Sequence, residues 1–244
     1  MSGHSKWSNI KHRKEKGDAQ KAKTFTKIGR ELAVIVRQGG SDPAANARLR
    51  DVIAKARANN VPNDNIQRMI QKASGEGGGS EYVSMTYEGY GPAGVAVIVE
   101  TLTDNRNRTA GDLRHYFDKF GGNMGATGCV SWQFDRFGVL IVDRAGLDEE
   151  TFLLQALEAG ADDVETLDEV FEIKTQPDAF GAVRDALEAQ SVAFLNAEVA
   201  LVPQNGVLLS APDDIKNMQK LLDHLEDNDD VQNVYHNCEN EEIE

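Results

Sequence analysis

An α+β chain of several domains is what this sequence predicts, on three observations. Apolar residues recur at helical spacing up to about residue 74, and at strand spacing from residue 82 onward. A glycine-rich segment, Ser74-Gly75-Glu76-Gly77-Gly78-Gly79-Ser80, separates the two regimes. The charge balance reverses at the same place. Residues 1–74 carry 16 Lys and Arg against 6 Asp and Glu, a net of +10, and residues 75–244 carry 10 against 34, a net of −24.

Residues 1–18 show no apolar period and read as a polar, basic arm. A first helix is predicted from about Ala19 to Gln38, with Phe25, Ile28, Leu32, Ile35 and Val36 on one stripe. Lys23, Lys27, Arg30 and Arg37 fall on the opposite arc, and Gly39-Gly40 stops the helix. Asp42 is the expected N-cap of a second helix, with Pro43 at its first position. That helix turns Leu49, Val52, Ile53 and Ala56 inward. A third, from about Asp64 to Ala73, buries Ile66, Met69 and Ile70. Together they predict a small three-helix bundle.

Beyond the glycines, Tyr82–Tyr90 and Gly94–Thr103 read as a hairpin around Gly91-Pro92-Ala93. A helix from about Arg108 to Phe120 and a strand over Cys129–Phe134 follow. Strands at Val139–Val142, Asp163–Thr166, Val170–Lys174 and Ala197–Val202, with helices at about Asp148–Ala159 and Asp178–Ala189, form the ferredoxin-like βαββαβ order. A last helix, Pro212–Glu226, and strand, Val231–Asn237, could not bury a core alone. The expected layout is therefore a helical domain with its arm (1–74), a linker (75–80), a discontinuous α+β domain (81–135 and 205–244), and a ferredoxin-like domain inserted in it (136–204).

Composition excludes several classes. No apolar run approaches the roughly 20 residues of a membrane span. The N-terminus has no signal-peptide hydrophobic stretch; it is basic like a transit peptide, so composition leaves an organellar address open beside the expected cytoplasmic location. Cys129 and Cys238 make neither a disulfide framework nor a zinc site and read as reduced thiols. No G-x-S-x-G elbow, H-E-x-x-H or spaced carboxylate set occurs, so neither catalysis nor a cofactor is expected.

A basic end on an acidic body points to a polyanion partner at that end. In the arm, Lys6, Lys11, Arg13, Lys14 and Lys16 are interleaved with Trp7 and His12. They join Lys23, Lys27, Arg30 and Arg37 as candidate phosphate contacts; the competing reading is a solvated helix face. Trp7 serves either to stack on an unpaired base or to anchor the arm on the bundle.

The run Gly3-His4-Ser5-Lys6-Trp7-Ser8-Asn9-Ile10-Lys11-His12-Arg13-Lys14 resembles the signature of the YebC/PmpR family. So do Tyr87-Glu88-Gly89-Tyr90-Gly91-Pro92, Leu102-Thr103-Asp104-Asn105-Arg106-Asn107-Arg108-Thr109 and Gly121-Gly122-Asn123-Met124-Gly125. The family pattern has Gly where Ala93 stands, a difference expected to change little. The resemblance implies a helical N-terminal domain and two α+β domains, one inserted in the other. It also implies a regulator of gene expression without catalytic activity: a DNA-binding transcriptional regulator by the family's usual label, or a ribosome-associated translation factor.

Three further features each carry two readings. The second and third helices read either as a helix-turn-helix presenting Asn65, Arg68, Gln71 and Lys72 to a major groove, or as a plain helical corner. Arg106 and Arg108 open a helix against its macrodipole, which a phosphate or RNA contact would explain; a simple cap by Asp104 or Asn107 is the alternative. The acidic C-terminal portion offers a protein interface, and a competing reading of the whole chain is an acidic protein-interaction scaffold whose basic end serves only solubility. Otherwise the acidic portion is expected to keep nucleic acid at one end, or to fold back on the basic arm and weaken its binding.

Overall fold

The structure, a computed structural model, describes residues 18–75 and 81–240. The predicted arm contacts Lys6, Trp7, Lys11, His12, Arg13, Lys14 and Lys16 lie outside those residues. Three helices come first: α1 (Asp18–Gly39), α2 (Ala47–Ala58) and α3 (Asn63–Ser74). They enclose a core of Ile28, Leu32, Ile35, Val36, Leu49, Val52, Ile53, Ala56, Val61, Ile66 and Ile70; Phe25 and Met69, expected in the apolar stripe, are only partly buried at its edge, and Val61 joins it from the α2–α3 turn. Asp42 does not cap α2. Asn46 does: its carbonyl accepts from the Leu49 amide at 3.1 Å, while its NH2 donates to the Gly40 carbonyl at 2.9 Å. One buried side chain thereby starts α2 and closes the end of α1.

Two four-stranded antiparallel sheets follow. The first is ordered β3-β1-β2-β8, from β1 (Val83–Tyr90), β2 (Ala96–Thr103), β3 (Asn123–Met124) and β8 (Val231–His236). Helices α4 (Arg106–Lys119) and α7 (Pro212–Asp227) cover one of its faces. The second is ordered β5-β6-β4-β7, from β4 (Phe134–Asp143), β5 (Asp163–Thr166), β6 (Val170–Thr175) and β7 (Phe194–Pro203). It carries α5 (Glu149–Glu158) and α6 (Phe180–Ala189), and its strand order is that of a ferredoxin-like unit.

The sheets pack back to back, which explains why Ala96–Val99 of β2 and Val139–Val142 of β4 are apolar at every position. Alternate residues of a strand face opposite ways. On β2, Val97 and Val99 pack with α4 and α7, while Ala96 and Ile98 meet the second sheet. On β4, Leu140 and Val142 pack with α5 and α6, while Val139 and Ile141 join Ala96, Ile98 and Tyr235.

Two further expectations need correction. Cys129–Phe134 is not a strand. Residues Ser131–Gln133 form a short 3-10 turn, and β4 begins only at Phe134 and runs unbroken to Asp143. The alternating pattern is overridden because the buried Glu88 carboxylate accepts the amides of Gly128, Val130 and Ser131 at 2.8–2.9 Å, bonds a strand ladder would need. Nor is the Ala93 departure neutral. Ala93 sits at φ 51°, in the left-handed region that glycine enters freely and alanine at a cost of about 1 kcal/mol.

At Gly138 the start of α6 lies directly against the sheet. A Cβ there would collide with Thr175 Oγ1 and lie 2.7 Å from Phe180 Cβ. Gly138→Ala is expected to destabilise by about 1–3 kcal/mol through overpacking, read as a lower urea midpoint at unchanged slope.

Candidate nucleic-acid interface

The predicted basic arc forms on α1, but most of it is occupied. Lys23 Nζ contacts Asp227 Oδ1 at 2.8 Å. Lys27 Nζ donates to the Glu226 carbonyl at 2.7 Å. Arg30 Nη1 donates to Asp230 Oδ1 at 2.8 Å and to the Asp229 carbonyl at 2.6 Å, with its guanidinium 5.3 Å above the Tyr82 ring. All three therefore meet one short acidic turn, Glu226-Asp227-Asn228-Asp229-Asp230, at the C-terminal end of α7. Cations suit that position, since the last carbonyls of a helix lack intrahelical donors and carry the negative pole. Arg37 lies about 10 Å further along the α1 axis and is exposed.

Arg108 converges on the same place. Asn105, neither Asp104 nor Asn107, caps α4, accepting from the Arg108 amide at 3.1 Å. Arg108 Nη2 then reaches Asp104 Oδ1 at 2.9 Å and Asp230 Oδ2 at 2.7 Å. The local cost of an arginine at a helix start is thus met inside the protein, by two carboxylates. Thr103 and Thr109 hydroxyls complete the shell of Asp230 Oδ2 at 3.2 and 2.8 Å. Burial of Asp230 raises its pKa, but the donors Arg108, Thr109 and Arg30 outweigh this and hold it below the usual carboxylate range. Arg106 is exposed, and its backbone carbonyl accepts from the Tyr87 hydroxyl at 3.5 Å.

So Lys23, Lys27, Arg30 and Arg108 share one acidic partner segment, while Arg37 and Arg106 stand apart from it. Asp230 was not read from the sequence as a site residue. Its contacts with Arg30 and Arg108 span 200 and 122 positions, and only the run of acids around it hinted at a role. Two other joints escaped as well. Arg184 of α6 pairs with Asp51 of α2 at 2.7 Å, and Lys55 of α2 bridges Glu31 at 3.1 Å and Glu198 of β7 at 3.7 Å.

Cationic surface remains on the helical unit. Arg48, Arg50, Arg57, Arg68 and Lys72 are exposed; Arg50 donates to the Pro43 carbonyl and Arg57 to Asn63 Oδ1. On α3, Arg68, Gln71 and Lys72 face outward, whereas Asn65 is half-buried. An unforeseen aromatic stands on the first sheet's long loop: Trp132 is 68% exposed, tethered by its Nε1 to the Cys129 carbonyl at 3.1 Å. Among the described residues, no group of three or more His, Cys, Asp or Glu is placed to hold a metal ion. No helix there is long and apolar enough to cross a membrane.

Fold and charge together define a multidomain α+β protein with a cationic helical unit seated on two acidic, sheet-based units. The chain belongs to the TACO1/YebC family. Residues 5–76 match the TACO1/YebC N-terminal domain, and residues 82–238 match the family's second and third domain. Similar proteins include a probable transcriptional regulatory protein of Acetivibrio thermocellus, 57% identical over 238 residues, covering 97% of this chain and 98% of that one. Another, from Caldicellulosiruptor saccharolyticus and named likewise, is 54% identical over 243 residues, covering 99% and 100%. Among solved structures, a conserved hypothetical protein from Aquifex aeolicus superposes with a TM-score of 0.83 at 43% identity, covering 92% of both chains.

Proposed function

We propose that this protein is a nucleic-acid-binding regulator of gene expression that acts by binding rather than by catalysis. Its helical unit and preceding arm hold the phosphate chain, and the acidic units serve as carrier and as a possible surface for protein partners. The observation that carries this reading is the charge reversal, +10 over residues 1–74 against −24 beyond. Exposed Arg37, Arg68 and Lys72 extend the cationic surface onto the described helices. The relatives are named probable transcriptional regulatory proteins, which favours a role in transcription.

A ribosomal RNA target is the second reading. It is favoured by the arm, where Trp7 stands among cations in the manner of single-strand binders, and by the fact that only two of the four α3 candidates, Arg68 and Lys72, are cationic. Salt titration tests the common part. With about six phosphate contacts, the log–log slope on duplex is roughly −5. Changing Lys6, Lys11, Lys14 and Lys16 to Gln is expected to flatten it by about 3 to 4. An unchanged slope would remove the arm from the interface. Specificity separates the two targets: a DNA regulator prefers its operator over random duplex by orders of magnitude, whereas a ribosome binder co-sediments with ribosomes until salt is raised.

A further inference from the structure

The molecule's joints differ in kind. The two sheets are fused through apolar side chains, Ala96, Ile98 and Tyr235 against Val139, Ile141 and Ala200. The helical unit's core is built from its own residues. It meets the sheets largely through charge: Lys23 with Asp227, Lys27 with the Glu226 carbonyl, Arg30 with Asp230, Lys55 with Glu198, and Asp51 with Arg184. Beside the place where α2 rests on β7, an open cleft of ≈ 490 Å³ lies between α2 and α3 on one side and α6 and the start of β7 on the other.

We infer that the Glu226–Asp230 turn is a built-in stand-in for phosphate. A nucleic-acid backbone takes the α1 face by displacing it, and the helical unit then leaves the sheets. This rests on the proposed function and adds its regulation. The chemistry of the two occupants is interchangeable, because guanidinium and ammonium groups donate to carboxylates and phosphates alike. In the closed form the face is covered: the side chain of Arg30 is 17% exposed and that of Asp230 5%.

Opening is permitted because it strands no buried charge. When Arg30 withdraws, Asp230 keeps Arg108, Thr103 and Thr109. Lys55 keeps Glu31 within its own unit. Arg184 keeps Asp185 at 2.9 Å. Of the ion pairs given up, Lys23–Asp227 is partly exposed and individually weak, whereas Arg30–Asp230 is buried and is the contact the phosphate has to replace. The apolar seam between the sheets has no such route, since separating it would bring its valines and isoleucines into water. The helical unit is therefore the part that moves.

The test uses the full chain with fluorescein-labelled random duplex DNA and a ribosomal RNA fragment as probes. In a background with Cys129→Ser and Cys238→Ser, Asp51→Cys and Arg184→Cys are bridged by a disulfide-containing bismaleimide. The bridged form is expected to bind both probes about tenfold more weakly than the same protein after the linker is cut by reductant. Separately, Asp227→Asn with Glu198→Gln is expected to tighten binding by about five- to tenfold over wild type. The equal charge change Glu158→Gln with Asp162→Asn, remote from α1, is expected to leave it within about twofold. Equal affinity of bridged and cut forms, or equal gains from the two charge pairs, overturns the latch while leaving nucleic-acid binding intact. No binding by any form overturns the functional reading and the latch with it.

Discussion

Asp230→Ala is expected to cost about 3–5 kcal/mol of folding stability, the range for removing one partner from a buried charged network. Asp230 is 3% exposed, and its two oxygens receive four side chains from three parts of the chain: α1, the β2–α4 corner, and the first turn of α4. Arg108 is 46% exposed and can turn to water. Arg30 cannot without leaving its seat, and Thr103 and Thr109 lose an acceptor in a fully buried setting. Urea denaturation reads the loss, and Asp230→Asn, which keeps one acceptor, should fall between. The pH dependence has a definite sign. Asp230 titrates below the ordinary value, so its contribution is fully present above about pH 4 and disappears as the pH falls through its depressed folded pKa. Wild type and variant should therefore converge in stability under acid. A constant gap would mean that the carboxylate's charge is not what the network uses.

Glu88→Ala is expected to cost about 3 kcal/mol and to act on the 126–133 loop. Its carboxylate alone satisfies the amides of Gly128, Val130 and Ser131, and a buried amide without an acceptor costs about 1 kcal/mol or more. Val130 lies in the core between the two sheets, so lifting the loop also opens that seam. Amide exchange at residues 128–131 should rise strongly while α1–α3 keep their protection. Glu88→Gln, with one carbonyl in place of two oxygens, should lose roughly half as much. Burial raises the Glu88 pKa, but the three amides and the Ser131 hydroxyl more than offset it, leaving it low. This contribution too is present at neutral pH and is lost as the pH drops below about 4. Slowed or unchanged exchange in the alanine variant would show that the loop holds itself.

These two carboxylates mark the limit of what could be read along the chain. The bounds of α1 lie within a residue or so of those expected, because helical spacing and a terminal Gly-Gly act over a few neighbouring positions. The ferredoxin-like order was legible for the same reason: each strand and helix carries its own period. Cys129–Phe134 misled because alternation reports only which side chains could be buried. The fate of the backbone amides was set by a carboxylate some 40 positions away.

The candidate site divides along the same line. Charge segregation is additive along the chain, so a cationic amino-terminal portion on an acidic body follows from counting residues. Helical geometry likewise places Lys23, Lys27, Arg30 and Arg37 on one arc whatever surrounds them. Folding alone brought the Glu226–Asp230 turn onto that arc and sent Arg30 and Arg108 to a single aspartate. Pairing between charges depends on distance in space, and no local pattern encodes a contact between positions 30 and 230.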